Sequence, residues 1–155
     1  MTGAPGTFIR GVTATLLGGP HKSELERVSL WRSLAFYNYS QEFAGDHARQ
    51  QPSRGHWESA QAPFREVLDF LSPSVVLVCG KALWQHVRKI GGLSDEPFIN
   101  PIDELERSRV ARLVAGPTVL GMIAHPSSVG FSAADWAPRV HGYFVRAHQI
   151  RRSTL

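Results

Sequence analysis

A histidine followed by a proline and two serines closes the apolar run TVLGMIA at 118–124. The imidazole of His125 can donate a hydrogen bond, act as a general base or ligate a metal. The hydroxyls of Ser127 and Ser128 can donate to phosphate oxygens, or they can satisfy the turn. Polar groups at the end of a buried strand lie where open α/β sheets bind ligands. We therefore interpret His125 as a functional residue, and a strand-end histidine bonded to backbone is the alternative.

An asparagine occupies a comparable place in the aromatic run LAFYNY at 34–39. A carboxamide carries both a donor and an acceptor, so Asn38 can read the amide edge of a nucleobase. An ordinary turn residue is the alternative. Phe36, Tyr37 and Tyr39 can supply a stacking face for a base, or they can fill the core. The second candidate functional residue is therefore Asn38.

The spacing of apolar residues predicts the elements that position these side chains. Four helices are expected, with apolar stripes that begin at Phe8, Phe64, Leu83 and Val140. Continuous apolar runs predict strands at 34–39, 74–80 and 118–124. Residues 40–57 are expected to form a long loop, and 93–108 a surface excursion. Ser132 and Asp135 can form a capping box ahead of the last helix, which Pro138 would start or kink.

Alternating helices and strands predict an α/β fold, a three-layer sandwich with a short parallel sheet. The length of 155 residues suits one domain that spans residues 1–155. The carboxyl ends of parallel strands lie at one edge of the sheet, where ligands bind. Asn38 and His125 are therefore expected to converge on one crevice.

Composition excludes several classes of protein. The single cysteine, Cys79, excludes disulfide scaffolds, zinc ribbons and four-cysteine iron–sulfur sites within the chain. The seven histidines are irregularly spaced, so neither a metal nor another cofactor is expected. No stretch approaches the ~18 apolar residues of a membrane span, and the first residues make a poor signal peptide. We expect a cytoplasmic protein whose net charge of +4 is compatible with an anionic partner.

Three blocks of the chain resemble the uracil-DNA glycosylase superfamily. They are residues 33–84, the IAHPSSVGF stretch at 123–131, and Trp136 with the PRV stretch at 138–140. The second block is similar to the family's His-Pro-Ser motif, which enters the minor groove beside the extruded nucleotide. The resemblance implies a glycosylase-like fold, DNA as partner, and a DNA-repair hydrolase that excises a base.

The resemblance also implies a role for each site residue. Asn38 would read the base with Tyr39 beside it, and His125 would hydrogen-bond the oxygen of the departing base. Ser127 would help to hold the phosphate backbone, with Ser128 beside it as a further candidate from its residue type. Val129 or Phe131 would be the apolar wedge that fills the space left in the base stack.

The family's first motif, a Gly-rich loop with a water-positioning residue, has no counterpart ahead of Phe8. The chain is then truncated at its N-terminus, or it binds a base without excising it, or a second protein chain completes the sheet. Glu42 or Asp46 is a further candidate for the missing group. The main alternative to a glycosylase-like protein is a non-catalytic binding or assembly module with the same fold. An enzyme that acts on a free nucleoside or nucleotide is the third alternative.

Overall fold

The structure, a computed structural model, describes residues 6–19, 23–42, 50–90, 93–94, 108–113 and 116–153. Its helices are α1 (Gly6–Leu17), α2 (Glu24–Arg32), α3 (Arg54–Ser59), α4 (Gln61–Leu71), α5 (Lys81–Val87) and α6 (Ala133–Arg152). Its strands are β1 (Val75–Cys79), β2 (Leu93–Ser94), β3 (Ser108–Leu113) and β4 (Gly116–Ile123). The four predicted helices are present as α1, α4, α5 and α6.

Part of the predicted loop at 40–57 is helical. The Ser53 hydroxyl accepts a hydrogen bond from the N–H of His56, and Nδ1 of His56 accepts one from the N–H of Ser53 at 3.1 Å. This reciprocal cap satisfies N–H groups that a helix start leaves without partners. Helix α3 therefore begins at Arg54, and the loop prediction is wrong from that residue onward. Residues 43–49 of the same prediction lie outside the described residues.

The last helix begins before Pro138. Ser132 caps it, because its hydroxyl accepts a hydrogen bond from the N–H of Asp135 at 3.3 Å. The expectation that Pro138 would start the helix is therefore wrong, and this proline lies inside α6. Helix α6 has 20 residues. Neither it nor any other helix in the described ranges is long and apolar enough to cross a membrane.

The sheet is mixed, with the strand order β1-β4-β3-β2. Strands β1 and β4 are parallel, and Cys79 is in register with Ile123. Strand β3 is antiparallel to both of its neighbours, β2 and β4. The predicted surface excursion at 93–108 therefore contains β2 and the first residue of β3. The α/β class and a short parallel pair are confirmed, and the purely parallel sheet is wrong.

The predicted strand at 34–39 is absent. These residues form neither a helix nor a ladder with the strands that the structure describes. Aromatic packing takes the place of strand pairing: the rings of Tyr37 and Tyr39 lie 6.0 and 5.2 Å from the ring of Phe64 on α4. An aromatic run favours a strand when a partner strand lies beside it. Here the rings of Tyr37 and Tyr39 pack against helix α4 instead.

Helices cover both faces of the sheet. The α6 side of the sheet holds a cluster that consists of Val119, Ile123, Val140, Tyr143 and Ala147. The other side packs against α4 and α5 in a cluster that includes Leu120, Met122, Phe64, Leu68, Trp84 and Val87. Alternate residues of β4 thus face opposite helical layers, as the two-residue period of a strand requires. The arrangement is a helix–sheet–helix sandwich.

Arg151 and Thr118 join the elements at the amino edge of the parallel pair. The guanidinium of Arg151 donates to the carbonyl oxygens of Ser72 and Pro73, at 3.2 and 3.1 Å, and to that of Pro117 at 3.3 Å. The fully buried hydroxyl of Thr118 donates to the Pro73 carbonyl at 2.6 Å. The end of α6 is therefore bonded to the loop that enters β1 and to the start of β4.

Candidate functional site

The carboxyl ends of β1 and β4 meet at one point. The N–H of Gly80 donates to the carbonyl of Ile123 at 2.8 Å. Gly80 has a φ of 116°, and a Cβ built on it would lie 3.6 Å from the Cβ of His125. The positive φ favours glycine at this position, and the distance shows that His125 packs in ordinary contact with it. The structure thus places His125 directly beside the end of β1, at the edge where α/β sheets bind ligands.

A tight turn fixes the backbone and the ring of His125. The N–H and the hydroxyl of Ser128 both donate to the His125 carbonyl, at 2.8 and 2.6 Å. The N–H of Ser127 donates to Nδ1 of the imidazole at 3.2 Å. Since Nδ1 accepts a hydrogen bond, the proton of the neutral ring is assigned to Nε2, which is therefore a donor. The ring is exposed and offers this donor at the surface.

The two serines of the turn differ in what they offer to a ligand. The Ser128 hydroxyl has one proton, and the hydrogen bond to the His125 carbonyl uses it. Ser128 can therefore accept a hydrogen bond from a ligand, but it cannot donate to a phosphate without opening the turn. The exposed hydroxyl of Ser127 is the better placed of the two predicted phosphate contacts.

Helix α1 packs closely against the turn. A Cβ at Gly11 would lie 2.8 Å from the Cβ of Pro126 and 3.3 Å from a ring carbon of Phe131. Phe131 is half-buried, whereas Val129 is fully exposed. Of the two predicted wedge residues, Val129 projects into solvent and Phe131 is held against α1.

Two phenylalanines extend the surface beside the imidazole. The ring of Phe8 lies 5.5 Å from the ring of His125 at an angle of 48°, and the ring of Phe36 lies 5.6 Å from that of Phe8. Phe36 is 62% exposed. The site therefore combines a hydrogen-bond donor with aromatic rings. Phe8 was missed from sequence, because its spacing marked only the buried stripe of a helix.

Asn38 and Tyr39 are the two residues of the 34–39 run that are predicted to contact a base, and they lie in different surroundings. Tyr39 is buried, and its ring lies 5.2 Å from Phe64 and 6.0 Å from Trp57, in the core on the α4 side. Burial raises the pKa of its hydroxyl to about 12, with Tyr37 as a smaller cause. The predicted role of Tyr39 in base contact therefore does not fit its position. The period-two alternation of an extended chain could have shown this, since it puts Tyr39 opposite Phe36.

Asn38 is exposed and lies on the Phe36 side of that alternation. Its backbone carbonyl accepts a hydrogen bond from the side chain of Gln41. It is the ring of Phe36 that reaches the His125 cluster, through Phe8. Asn38 thus stands two residues along the chain from Phe36, and its hydrogen bond with Gln41 does not join it to His125.

The candidate water-positioning acids are not beside His125 in the described part of the chain. Glu42 accepts a hydrogen bond from the Ser59 hydroxyl at 3.2 Å and lies 3.4 Å from Nε2 of His56, so it is held beside α3. Asp46 lies outside the described residues. Among the residues that the structure does describe, no group of three metal-ligating side chains could hold a metal ion.

No protein-family model, no curated protein and no solved structure matches the chain.

Proposed function

We propose that the carboxyl edge of the sheet binds a base extruded from DNA, in the manner of a uracil-DNA-glycosylase-like protein. The observation that carries this proposal is the exposed imidazole of His125, which has Nε2 as a donor and the ring of Phe8 beside it, with the ring of Phe36 next to Phe8. A pyrimidine presents carbonyl oxygens at its edge and a flat face. The imidazole donor suits the first, and the phenylalanine rings suit the second.

The surroundings of the imidazole support a nucleic acid as the larger ligand. Arg10 on α1 and Lys81 at the start of α5 are exposed cations on the elements that flank His125. Both are cations that the phosphates of a bound strand can contact. Val129 is the residue that can enter the space an extruded base leaves, because its side chain is fully exposed at the tip of the turn.

Binding without excision is the second candidate, and the position of Glu42 favours it. Hydrolysis of a glycosidic bond needs a group that positions water, and Glu42 bonds instead to Ser59 beside α3. The residues described at the carboxyl edge supply donors and rings for binding. A non-catalytic binding module with the glycosylase fold uses the same surface.

Binding of a short fluorescent single strand with one uracil tests the proposal. We expect His125→Ala to weaken binding about tenfold, since it removes one hydrogen bond and a ring contact. His148→Ala is the matched control, because His148 is also an exposed histidine but lies at the other end of the sheet. Phe36→Ala should also weaken binding about tenfold through lost stacking. Equal affinity in the wild type, His125→Ala and Phe36→Ala would overturn the proposal.

The same samples separate binding from excision. An abasic site left by excision breaks in alkali, so the labelled strand shortens if the base is removed. Removal of each phosphate-contacting cation, in Arg10→Ala and Lys81→Ala, should reduce the slope of log affinity against log salt by about 0.7. A shortened strand supports the glycosylase, and an intact strand with salt-dependent binding supports the binding module.

A further inference from the structure

Strand β1 presents backbone groups that no described strand pairs. The carbonyl of Ser74 accepts from the N–H of Val119 at 3.0 Å, and the N–H of Gly80 donates to the carbonyl of Ile123 at 2.8 Å. In a parallel ladder, the N–H and C=O of one residue point to the same neighbour, and successive residues alternate. The even-numbered residues of β1 thus bond to β4. The opposite edge of β1 presents the N–H and C=O groups of its odd-numbered residues, which are Val75, Leu77 and Cys79.

Strand β1 itself carries neither of the side-chain features that discourage strand addition, a charge or a proline. Its sequence is VVLVC, with no charge and no proline. Four of its five residues are half-buried, although each of them is apolar or a thiol. Sheets usually protect an edge with charges, proline or a covering element. An uncharged apolar edge is a template for another strand.

Residues 34–39 are a second segment without a described partner strand. Their rings alternate between the two helical layers: Phe36 contacts Phe8 on α1, whereas Tyr37 and Tyr39 contact Phe64 on α4. The two helical layers therefore leave room between them for a chain that alternates in the manner of a strand.

A cleft of about 370 Å³ opens at the amino end of β1, lined by Ser74 and by Phe144, Ala147, His148, Arg151 and Arg152 of α6. Phe144 is 45% exposed among the described residues, so α6 presents an apolar ring to this cleft. Arg151 is bonded to backbone carbonyls. His148 and Arg152 are exposed, and they give the rim a positive character.

We propose that the free edge of β1 binds an extended apolar segment of a partner protein as an additional strand, with an acidic residue of that segment beside Arg152. Backbone hydrogen bonds to the odd-numbered residues hold the segment, and its apolar side chains cover Phe144. The acidic residue matches the positive rim of the cleft. This proposal is independent of nucleic-acid binding, since it uses the side edge of the sheet and not its carboxyl end.

A second copy of this chain fits the edge less well. A closed two-fold pairing of β1 with itself is antiparallel, so the amino end of one strand lies beside the carboxyl end of the other. Arg152 of one copy would then approach Lys81 of the other, and like charges placed opposite each other are destabilising. The charges of the edge therefore favour an acidic segment over self-association.

Amide hydrogen exchange of the full chain tests the edge itself. In the free protein, the amides of Leu77 and Cys79 should exchange much faster than those of Val76 and Val78, which bond to β4. Equal protection of the odd and even amides would overturn the proposal, because the edge would already be covered. Protection of the odd amides that grows with protein concentration would assign the edge to a second copy and would also overturn it.

Two synthetic peptides of alternating valine and threonine test which kind of segment binds to the edge of β1. One peptide has glutamate at its amino end, and the other has glutamate at its carboxyl end. We expect one of them to bind and to protect the odd amides, and the position of its glutamate then gives the direction of the added strand. The same peptide with alternate amides N-methylated keeps its side chains but loses the ladder bonds. Equal binding of the methylated peptide, or no binding of either parent peptide, would overturn the proposal.

Arg152→Ala tests the acidic element, with Arg32→Ala as its matched control. Both arginines are exposed in the last turn of a helix. Arg152→Ala should weaken peptide binding about threefold, as expected for one exposed ion pair. Arg32→Ala should leave it unchanged. Equal affinities in both variants would show that the peptide does not use the basic rim, and the choice of an acidic segment would be wrong.

Discussion

Replacement of Gly121 by alanine would force a side chain against the buried ring of Tyr143. A Cβ at this position would lie 2.3 Å from two ring carbons of Tyr143. Carbon atoms in contact prefer a separation of about 3.5–4.0 Å, so the ring or the strand must move by more than about 1 Å. Strand β4 cannot shift freely, because Gly121 is in register with Leu77 on one side and with Ser108 on the other.

Tyr143 cannot move freely either. It is fully buried, and its hydroxyl donates to the carbonyl of Met122 at 3.0 Å. Displacement of the ring adds about 1–3 kcal/mol of overpacking to about 1–3 kcal/mol for the disturbed hydrogen bond. We therefore expect Gly121→Ala to lower the free energy of unfolding by about 2–6 kcal/mol.

Urea unfolding followed by fluorescence measures this loss. With a slope of about 2 kcal/mol per molar urea, the midpoint should fall by about 2 M. Gly19→Ala is the matched control, since a Cβ there meets nothing within 4 Å, and it should change stability by less than about 0.5 kcal/mol.

A double-mutant cycle then tests the cause. Tyr143→Leu shortens the side chain that the alanine would meet, so it should cost less in the Gly121→Ala background than in the wild type. A loss below about 1 kcal/mol in Gly121→Ala, or strictly additive effects of the two substitutions, would refute the steric argument.

Three further predictions concern the core and the amino edge of the sheet. Thr118→Val should lower the free energy of unfolding by about 1–2 kcal/mol, because it removes the buried donor to Pro73, and a neutral result in urea would contradict the role given to that bond. Arg151→Ala should cost about 2–3 kcal/mol through three lost carbonyl contacts, whereas Arg152→Ala should change thermal stability little; similar melting temperatures for both variants would refute it. Burial raises the pKa of the Cys79 thiol from 9.0 to about 11, so the unfolded chain loses this proton at a lower pH than the native protein. As pH rises from about 9 to about 11, the free energy of unfolding of the wild type should therefore fall by about 2–3 kcal/mol more than that of Cys79→Ala. Parallel pH profiles of the two proteins would refute this prediction.

The elements with strong local patterns were predictable from sequence. Helix α4 has its apolar stripe, and β1 is a continuous apolar run closed by Pro73 and Gly80. The 34–39 run has the same aromatic and apolar character as a strand. Whether such a run becomes a strand depends on a neighbour that is distant in sequence, and periodicity does not contain that information.

Strand β3 was missed for a related reason. Its sequence, SRVARL, contains two arginines, and its pairing with β4 across a short connection decides its conformation. At the site, the position of His125 could be predicted because it depends on the end of one strand. The neighbouring Phe8 could not, because it depends on how α1 packs against the turn.

The two strands that pair with β4, β1 and β3, differ in the length of chain that separates them from β4. Strand β3 joins β4 through residues 114–115 alone, so this hairpin closes locally, and hairpins form within about 1–10 μs. Strand β1 pairs with residues more than forty positions later in the chain, and its pairing must wait for that longer loop to close. The surface formed by Gly80 and His125 exists only after this late step. Any change that slows the parallel pairing therefore delays the appearance of the site during folding, even when the hairpin has already formed.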